Sequence, residues 1–276
     1  MYMKLKDGKS KVLTLSYDDG VIQDRRLIEI MDKHGIKGTF NINGNLFRPE
    51  GEYDGPFSER LTLSEAKELY IGSPHEVAAH GFNHSYINLN PENEILYELS
   101  EDRKVLENVF GTVVRGMAYP YGVFDDRVIN CARLCGICYS RTVNSTGGFA
   151  FPENWLRWNP TCHHTDERLM ELAEKFAEEK HRYSMCNHMF YLWGHSYEFD
   201  RKDNWDVIEE FCSFMGGRDD IWYATNIEIY DYVQAYGRLQ ISYDCKIVHN
   251  PTATDVWVMH DNKTYCVGAG KTVNLN

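Results

Sequence analysis

Apolar runs and amphipathic stretches alternate along most of the chain. Val12 to Tyr17 is a nearly unbroken apolar run, the pattern of a strand buried on both faces. Ile22 to His34 carries apolar residues at helical spacing and is stopped by Gly35. The pattern repeats: strands are predicted over Gly38 to Asn43, Glu76 to Ala79, Val113 to Ala118, Ile137 to Val143, Met189 to Trp193 and Ile221 to Thr225. Between them fall helices. Thr62 and Glu65 form a capping box that opens one, and Asn90-Pro91 opens a long one ending near Phe110-Gly111. Others run over Asp125 to Leu134, from a Thr165 cap to about Lys180, over Trp205 to Met215, and over Glu228 to Tyr236. Residues 144–164, rich in Gly, Pro, Trp and Asn, read as a long loop. From Arg238 the pattern becomes short alternating strands, with a turn at Asp261-Asn262.

Strands alternating with helices imply a parallel sheet. The polar clusters Asp18-Asp19, His80, Tyr119-Pro120-Tyr121, Arg141 and His195 fall at or just past the strand C-termini, the face on which a (β/α) barrel assembles a site. An open doubly wound sheet is the alternative, but no Gly-rich phosphate loop follows the first strand. The expected fold is therefore α/β: a distorted barrel of seven or eight strands over residues 1–237, with a small β-rich appendage over residues 238–276.

The 276 residues suffice for one large domain. The net charge of −12 argues against a nucleic-acid partner. No apolar stretch is long enough to span a membrane. The charged N-terminus lacks the apolar core of a secretory signal, and eight scattered cysteines suit a reducing compartment, so the expected location is the cytoplasm, with an extracellular one left open. Oligomeric state is not legible.

The chemistry rests on two segments. Thr14-Leu15-Ser16-Tyr17-Asp18-Asp19-Gly20 places two carboxylates at the end of an apolar run, and His80-Gly81-Phe82-Asn83-His84 places two imidazoles four positions apart. Together they supply an Asp/His/His metal set and leave one carboxylate free, the inventory of a hydrolytic metal centre. Either segment alone is weak evidence, because aspartates before a glycine are ordinary turn residues.

Ser16 to Gly20 and His80 to His84 resemble the first two motifs of the polysaccharide deacetylases, carbohydrate esterase family four, with its NodB homology domain. Tyr119-Pro120-Tyr121-Gly122 is similar to the third motif and Leu192-Trp193-Gly194-His195 to the last, over about residues 10 to 235. The resemblance implies that Asp19, His80 and His84 bind a divalent metal, Zn²⁺ or another transition metal such as Co²⁺ or Ni²⁺. It implies Asp18 as general base, His195 as acid and the Tyr121 N–H as oxyanion donor, acting on an acetylated sugar or oligosaccharide. The chain departs from the family at Ala118, where the third motif has arginine. Arg115 lies toward the wrong end of its strand, which leaves Arg141 to orient Asp18. The family's aspartate-tryptophan motif is not recognisable; Trp158-Asn159 is expected in its place, or Glu198 as the group that tunes His195. Tyr119, Trp155, Trp158, Trp193 and Tyr197 are candidates to line a sugar cleft or simply to pack. His163 and His164 read as loop residues rather than ligands.

Three rival readings stay open. An amidohydrolase of this fold could act on a non-sugar C–N bond, such as that of a cyclic ureide. A binding protein on an inactive scaffold is disfavoured because both aspartates and both histidines are present. Cys131, Cys135 and Cys138 have the spacing of a radical S-adenosylmethionine cluster, but regular secondary structure would splay their sulfurs apart.

Overall fold

The computed structural model of the chain describes residues 1–51, 54–55, 58–179 and 187–275. Its strands are β1 (Tyr2–Lys4), β2 (Lys11–Asp18), β3 (Gly38–Ile42), β4 (Glu76–Ala79), β5 (Gly116–Ala118), β6 (Tyr139–Arg141), β7 (Cys162–His163), β8 (His188–Gly194), β9 (Ile221–Tyr223), β10 (Gln240–Ile241), β11 (Ile247–His249), β12 (Val256–His260), β13 (Lys263–Val267) and β14 (Thr272–Asn274). Its helices are α1 (Asp24–Lys33), α2 (Leu63–Tyr70), α3 (Glu92–Phe110), α4 (Asp126–Leu134), α5 (Leu169–Glu178), α6 (Tyr197–Lys202), α7 (Trp205–Met215) and α8 (Asn226–Gly237).

Strands β2 to β9 form one parallel sheet, in the order β6-β5-β4-β3-β2-β8-β7 with β9 also against β2. The central strand explains the distortion. The C-terminal half of β2, from Leu15 to Asp18, pairs with β3, whereas Lys11 to Leu13 pair with both β8 and β9. Strands β3 and β9 therefore share one edge of β2, one following the other. Every residue of β2 is buried, as expected for a strand covered on both faces. Because all pairings are parallel, the strand C-termini lie on one side, and the residues just beyond them are delivered to a common face.

Around the sheet the local signals behave as the sequence predicts. Thr62 caps α2 through the expected box with Glu65, whereas Thr225, expected to end a strand, instead caps α8 through a second box with Glu228. The Asp261-Asn262 turn joins β12 to β13, with both residues in the left-handed region that a tight hairpin requires.

Some expectations are corrected. Residues 144–164 are not all loop: Cys162 and His163 form β7, whose parallel pairing with β8 is too short to carry a periodic signal. Thr165 does not cap α5, which starts at Leu169; its backbone N–H and hydroxyl both engage His163 Nδ1 instead. Lys180, the expected end of that helix, lies outside the described residues. Helix α6 is too short to show a period. Strand β1 pairs with β12, so the N-terminal residues complete a sheet of the C-terminal appendage. That appendage holds two three-stranded sheets, β1-β12-β13 and β10-β11-β14, around Val248, Val258, Val267 and Leu275.

The three cysteines are held apart by regular secondary structure, as the sequence reading expects. Cys131 lies on α4, Cys135 caps its C-terminus and Cys138 precedes β6. The Cys135 and Cys138 thiols donate to the backbone carbonyls of Leu96 and Arg115, and burial pushes all three thiols up, Cys138 to about 11. Among the described residues, neither group placed to hold a metal contains a cysteine.

One buried carboxylate ties the helical layer to the site face. Asp24, in the first turn of α1, accepts hydrogen bonds from the Val21 N–H (3.1 Å), Tyr70 Oη (2.7 Å) and Ser196 Oγ (2.5 Å). Burial raises its pKa to about 7 despite those three donors. The folded state therefore holds this proton more tightly than the unfolded chain. The stability Asp24 contributes is complete below its unfolded pKa and is lost as pH rises through 7. Relative to Asp24→Asn, the wild type is expected to lose about 3 kcal/mol of unfolding free energy between pH 5 and pH 7.5. Denaturant melts at the two pH values check this, and a pH-independent difference would contradict it.

Candidate active site

Of the two aspartates of the first segment, Asp18 ends β2 and Asp19 opens the loop that follows it. Asp18 is 2% exposed. Its Oδ1 accepts from Asn41 Nδ2 at 2.8 Å, and its Oδ2 is paired with the Arg141 guanidinium, delivered from the end of β6. Burial alone would raise the Asp18 carboxyl, but Arg141, aided by His80 and His195, outweighs it and brings the pKa down to about 2. The Arg141 guanidinium carbon also sits 4.2 Å from the Trp193 ring centroid, which packs the cation without offering it a second anion.

Asp19 has φ 88, which turns the chain sharply away from the strand. Its Oδ1 accepts from Arg60 Nη2 at 2.8 Å, and Arg60 also bonds the Asp19 carbonyl and Asn43 Oδ1. Burial and Arg60 oppose one another at Asp19, and the cation prevails, so its carboxyl is held below the usual range.

The imidazoles arrive from the end of β4. His80 Nε2 lies 4.0 Å and His84 Nε2 3.7 Å from Asp19 Oδ1. His80 Nδ1 is bonded to the Ala118 carbonyl at 2.9 Å. A carbonyl can only accept, so Nδ1 carries the proton and the Nε2 lone pair faces the aspartates. That arrangement fixes the tautomer of a ligating histidine. The backbone around His80 is held by Asp102 of α3, whose two oxygens accept from the N–H groups of Gly44 (2.6 Å) and His80 (2.9 Å). Burial depresses the pKa of both imidazoles, that of His84 to about 4, so both are neutral at pH 7. One carboxylate oxygen and two neutral imidazoles, with ligand atoms within 4.8 Å of one another, fit a divalent transition metal.

His195 follows β8. Its Nε2 is 3.9 Å from Asp18 Oδ2, and its Nδ1 is 3.0 Å from Glu198 Oε1. Burial would lower its pKa, but Glu198 and the two aspartates overcome that and raise it. The adjacent loop is anchored by Ser196 to Asp24. Gly194 is required by close approach: a Cβ there would lie 2.0 Å from His164 Nδ1.

Asp18, Asp19, His80, His84, Arg141 and His195 thus converge, as does Trp193 through its contact with Arg141. Tyr121, with φ 56, lies at the rim, its ring 4.4 Å from that of His84 and 49% exposed. Two candidates are corrected. Tyr119 and Trp158 are 1% and 0% exposed, so neither ring has a face free to stack on a sugar. Tyr119 Oη donates to the Leu156 carbonyl at 2.9 Å. Trp158 packs against Tyr139 and Tyr191 and forms a parallel bridge to Arg141, supporting the guanidinium's backbone from behind. Arg115 pairs with Asp231 of α8, away from this group. Arg60 and Asp102 had no local signal, because each acts across a long sequence separation. His163 and His164 sit at the end of β7 beside Glu198 rather than in open loop.

Removing the cation from the Arg141–Asp18 pair leaves a buried carboxylate without compensation. Arg141→Ala is expected to lower unfolding free energy at pH 7 by about 3–5 kcal/mol. Gly194→Ala is expected to cost about 1–3 kcal/mol through overpacking against His164. Chemical denaturation measures both, and a wild-type midpoint in either variant would contradict the corresponding contact.

Residues 5–140 match the polysaccharide deacetylase family. A curated relative, chitin deacetylase 1 of Cryptococcus neoformans, is 29% identical over 124 residues, which are 45% of this chain and 24% of that protein. The chain thus spans about a quarter of that relative's length. Among solved structures, a Mycobacterium smegmatis protein assigned as a polysaccharide deacetylase shares the fold over 86% of this chain and 94% of its own, with a TM-score of 0.60 at 16% identity. A family 4 carbohydrate esterase from Streptomyces lividans, solved with acetate, does so over 77% and 91%, with a TM-score of 0.50 at 11% identity. The sheet order, the two ligand segments and the family match agree: over residues 5–140, just under half of its length, the chain is similar to the polysaccharide deacetylase family.

Proposed function

We propose that this protein is a metal-dependent hydrolase that removes acetyl groups from N- or O-acetylated sugars. The observation that carries the proposal is a pair of titrating groups with opposite poise on one face: Asp18 with a lowered pKa and His195 with a raised one, their nearest atoms 3.9 Å apart. A hydrolase needs a base and an acid in opposite protonation states at the same pH, and divergent environments supply them.

Asp19, His80 and His84 would hold the metal, with Zn²⁺ the best match to one carboxylate and two imidazoles and Co²⁺ or Ni²⁺ compatible with the same donors. When bound, the ion supplies a Lewis acid that acidifies water and polarises a carbonyl. Asp18, ionised and fixed by Arg141 and Asn41, accepts the proton of the attacking water. The Tyr121 N–H donates to the oxyanion that develops on the acetyl oxygen. His195, whose Nδ1 is held by Glu198, presents Nε2 as the donor to the departing amine or alcohol. The products are acetate and the free sugar group.

Acetate release from a panel of acetylated sugars and oligosaccharides, after chelation and with Zn²⁺ restored, tests the reading. Asp19→Ala, His80→Ala and His84→Ala are expected to lose metal and turnover together. Asp18→Asn and His195→Ala are expected to keep metal and lose about 10²–10⁴-fold in kcat. Metal-replete enzyme that releases no acetate from any sugar, yet hydrolyses a cyclic ureide, would replace this reading with the amidohydrolase one. A near wild-type rate in Asp18→Asn would overturn the assignment of the base.

A further inference from the structure

We infer that His163, His164 and Glu198 form a second divalent-metal site, on the far side of His195 from the Asp19–His80–His84 group and sharing no residue with it. One donor atom from each of the three residues falls within 4.8 Å of the others. Glu198 Oε2 lies 3.0 Å from His164 Nε2 and 3.7 Å from His163 Nε2. Ligands held tetrahedrally at ordinary zinc–nitrogen distances stand about 3.3 Å apart, which these separations bracket.

A second observation points the same way. His164 is only 2% exposed, yet neither of its ring nitrogens, nor Glu198 Oε2, has a partner in hydrogen-bond geometry. The two groups attract across 3.0 Å, but their angles miss those of a hydrogen bond, so the lone pairs of the buried imidazole and carboxylate are only partly used. A cation between nitrogen and oxygen would use both lone pairs at once.

The donors are also held in place before any ion arrives. The His164 ring lies between Phe199 (centroids 4.2 Å apart) and Tyr17 (5.7 Å), with Gly194 leaving it room. His163 Nδ1 accepts from the Thr165 N–H, so an ion at Nε2 would take the place of the proton Nε2 otherwise carries, with Nδ1 then donating to Thr165 Oγ. The His163 and Glu198 side chains are each about one-fifth exposed (19% and 21%), which opens a path from solvent. Two imidazoles and one carboxylate select a borderline transition ion such as Zn²⁺ or Co²⁺ over Mg²⁺ or Ca²⁺. Glu198 uses its other oxygen to hold His195. An ion on Oε2 would draw charge from the carboxylate whose Oε1 holds His195 and loosen its hold on the His195 proton, so metal in excess is expected to inhibit.

The test is Co²⁺ binding to the chelated 276-residue protein, read by bound-metal stoichiometry and by the visible absorption of the bound ion. Wild type is expected to take up two equivalents. His163→Ala and His164→Gln are each expected to take up one, with thermal melts confirming that they fold. His84→Ala is also expected to take up one, and the His84→Ala/His163→Ala double variant none. His163→Ala, whose ring is partly exposed, keeps the test valid if His164→Gln does not fold. A wild type that takes up one equivalent, unchanged in His163→Ala, would overturn the inference, as would two equivalents retained in both histidine variants. One equivalent lost in His163→Ala but kept in His84→Ala would support this site and count against the Asp19–His80–His84 assignment, so the two fail separately.

Discussion

The buried ion pair between Asp18 and Arg141 is the constraint on which the rest of the site depends. Taking both charges out of water costs several kcal/mol per ion, and only close geometry with further partners recovers it. Those partners come from different parts of the sheet. Asn41 of β3 bonds Asp18, Trp193 of β8 covers the guanidinium, and Trp158 bridges the backbone of Arg141. The pair therefore requires β2, β3, β6 and β8 to be in register. A slip in any of these strands would strand a charge in the core, so the site's geometry and the fold's specificity are coupled.

The same logic extends outward through carboxylates that act at a distance. Asp102 of α3 holds the backbone at His80, Asp24 of α1 holds the loop after His195, and Glu198 holds His195 itself. Each gathers several donors, and each links a helix to the end of a strand. Their protonation differs because their surroundings differ. Asp24 and Asp102 are pushed up to about 7 by burial among neutral donors, whereas His164 and His195 overcome burial at Glu198 and hold its carboxyl far below the usual range. The result is a carboxyl whose pKa is lowered, at Asp18, and an imidazole whose pKa is raised, at His195, across a short gap.

Much of this was readable from local pattern. Strand β2, the capping box at Thr62, the long helix after Asn90-Pro91 and the Asp261-Asn262 turn all follow from signals spanning a few residues. The pairing of Asp18 with Arg141 was also legible, because both fall at strand C-termini that a parallel sheet must bring together. Strand β7 and helix α6 were not, since neither is long enough to establish a period. Nor was the burial of Trp158 and Tyr119: an aromatic residue near a strand end looks the same in sequence whether it faces a cleft or the core.

The sequence by itself determined the alternation of strand and helix, the placement of reactive side chains at strand ends and the donor types available to a metal, because these depend on contacts within a few residues. The tertiary structure decided which cations balance which carboxylates, and which histidines share a neighbour. Arg60 reaches Asp19 across 41 positions, and Glu198 meets His163 and His164 from a different element. Those meetings are set by strand order and by the burial that makes unpaired charge expensive, and neither is written in any single segment of the chain.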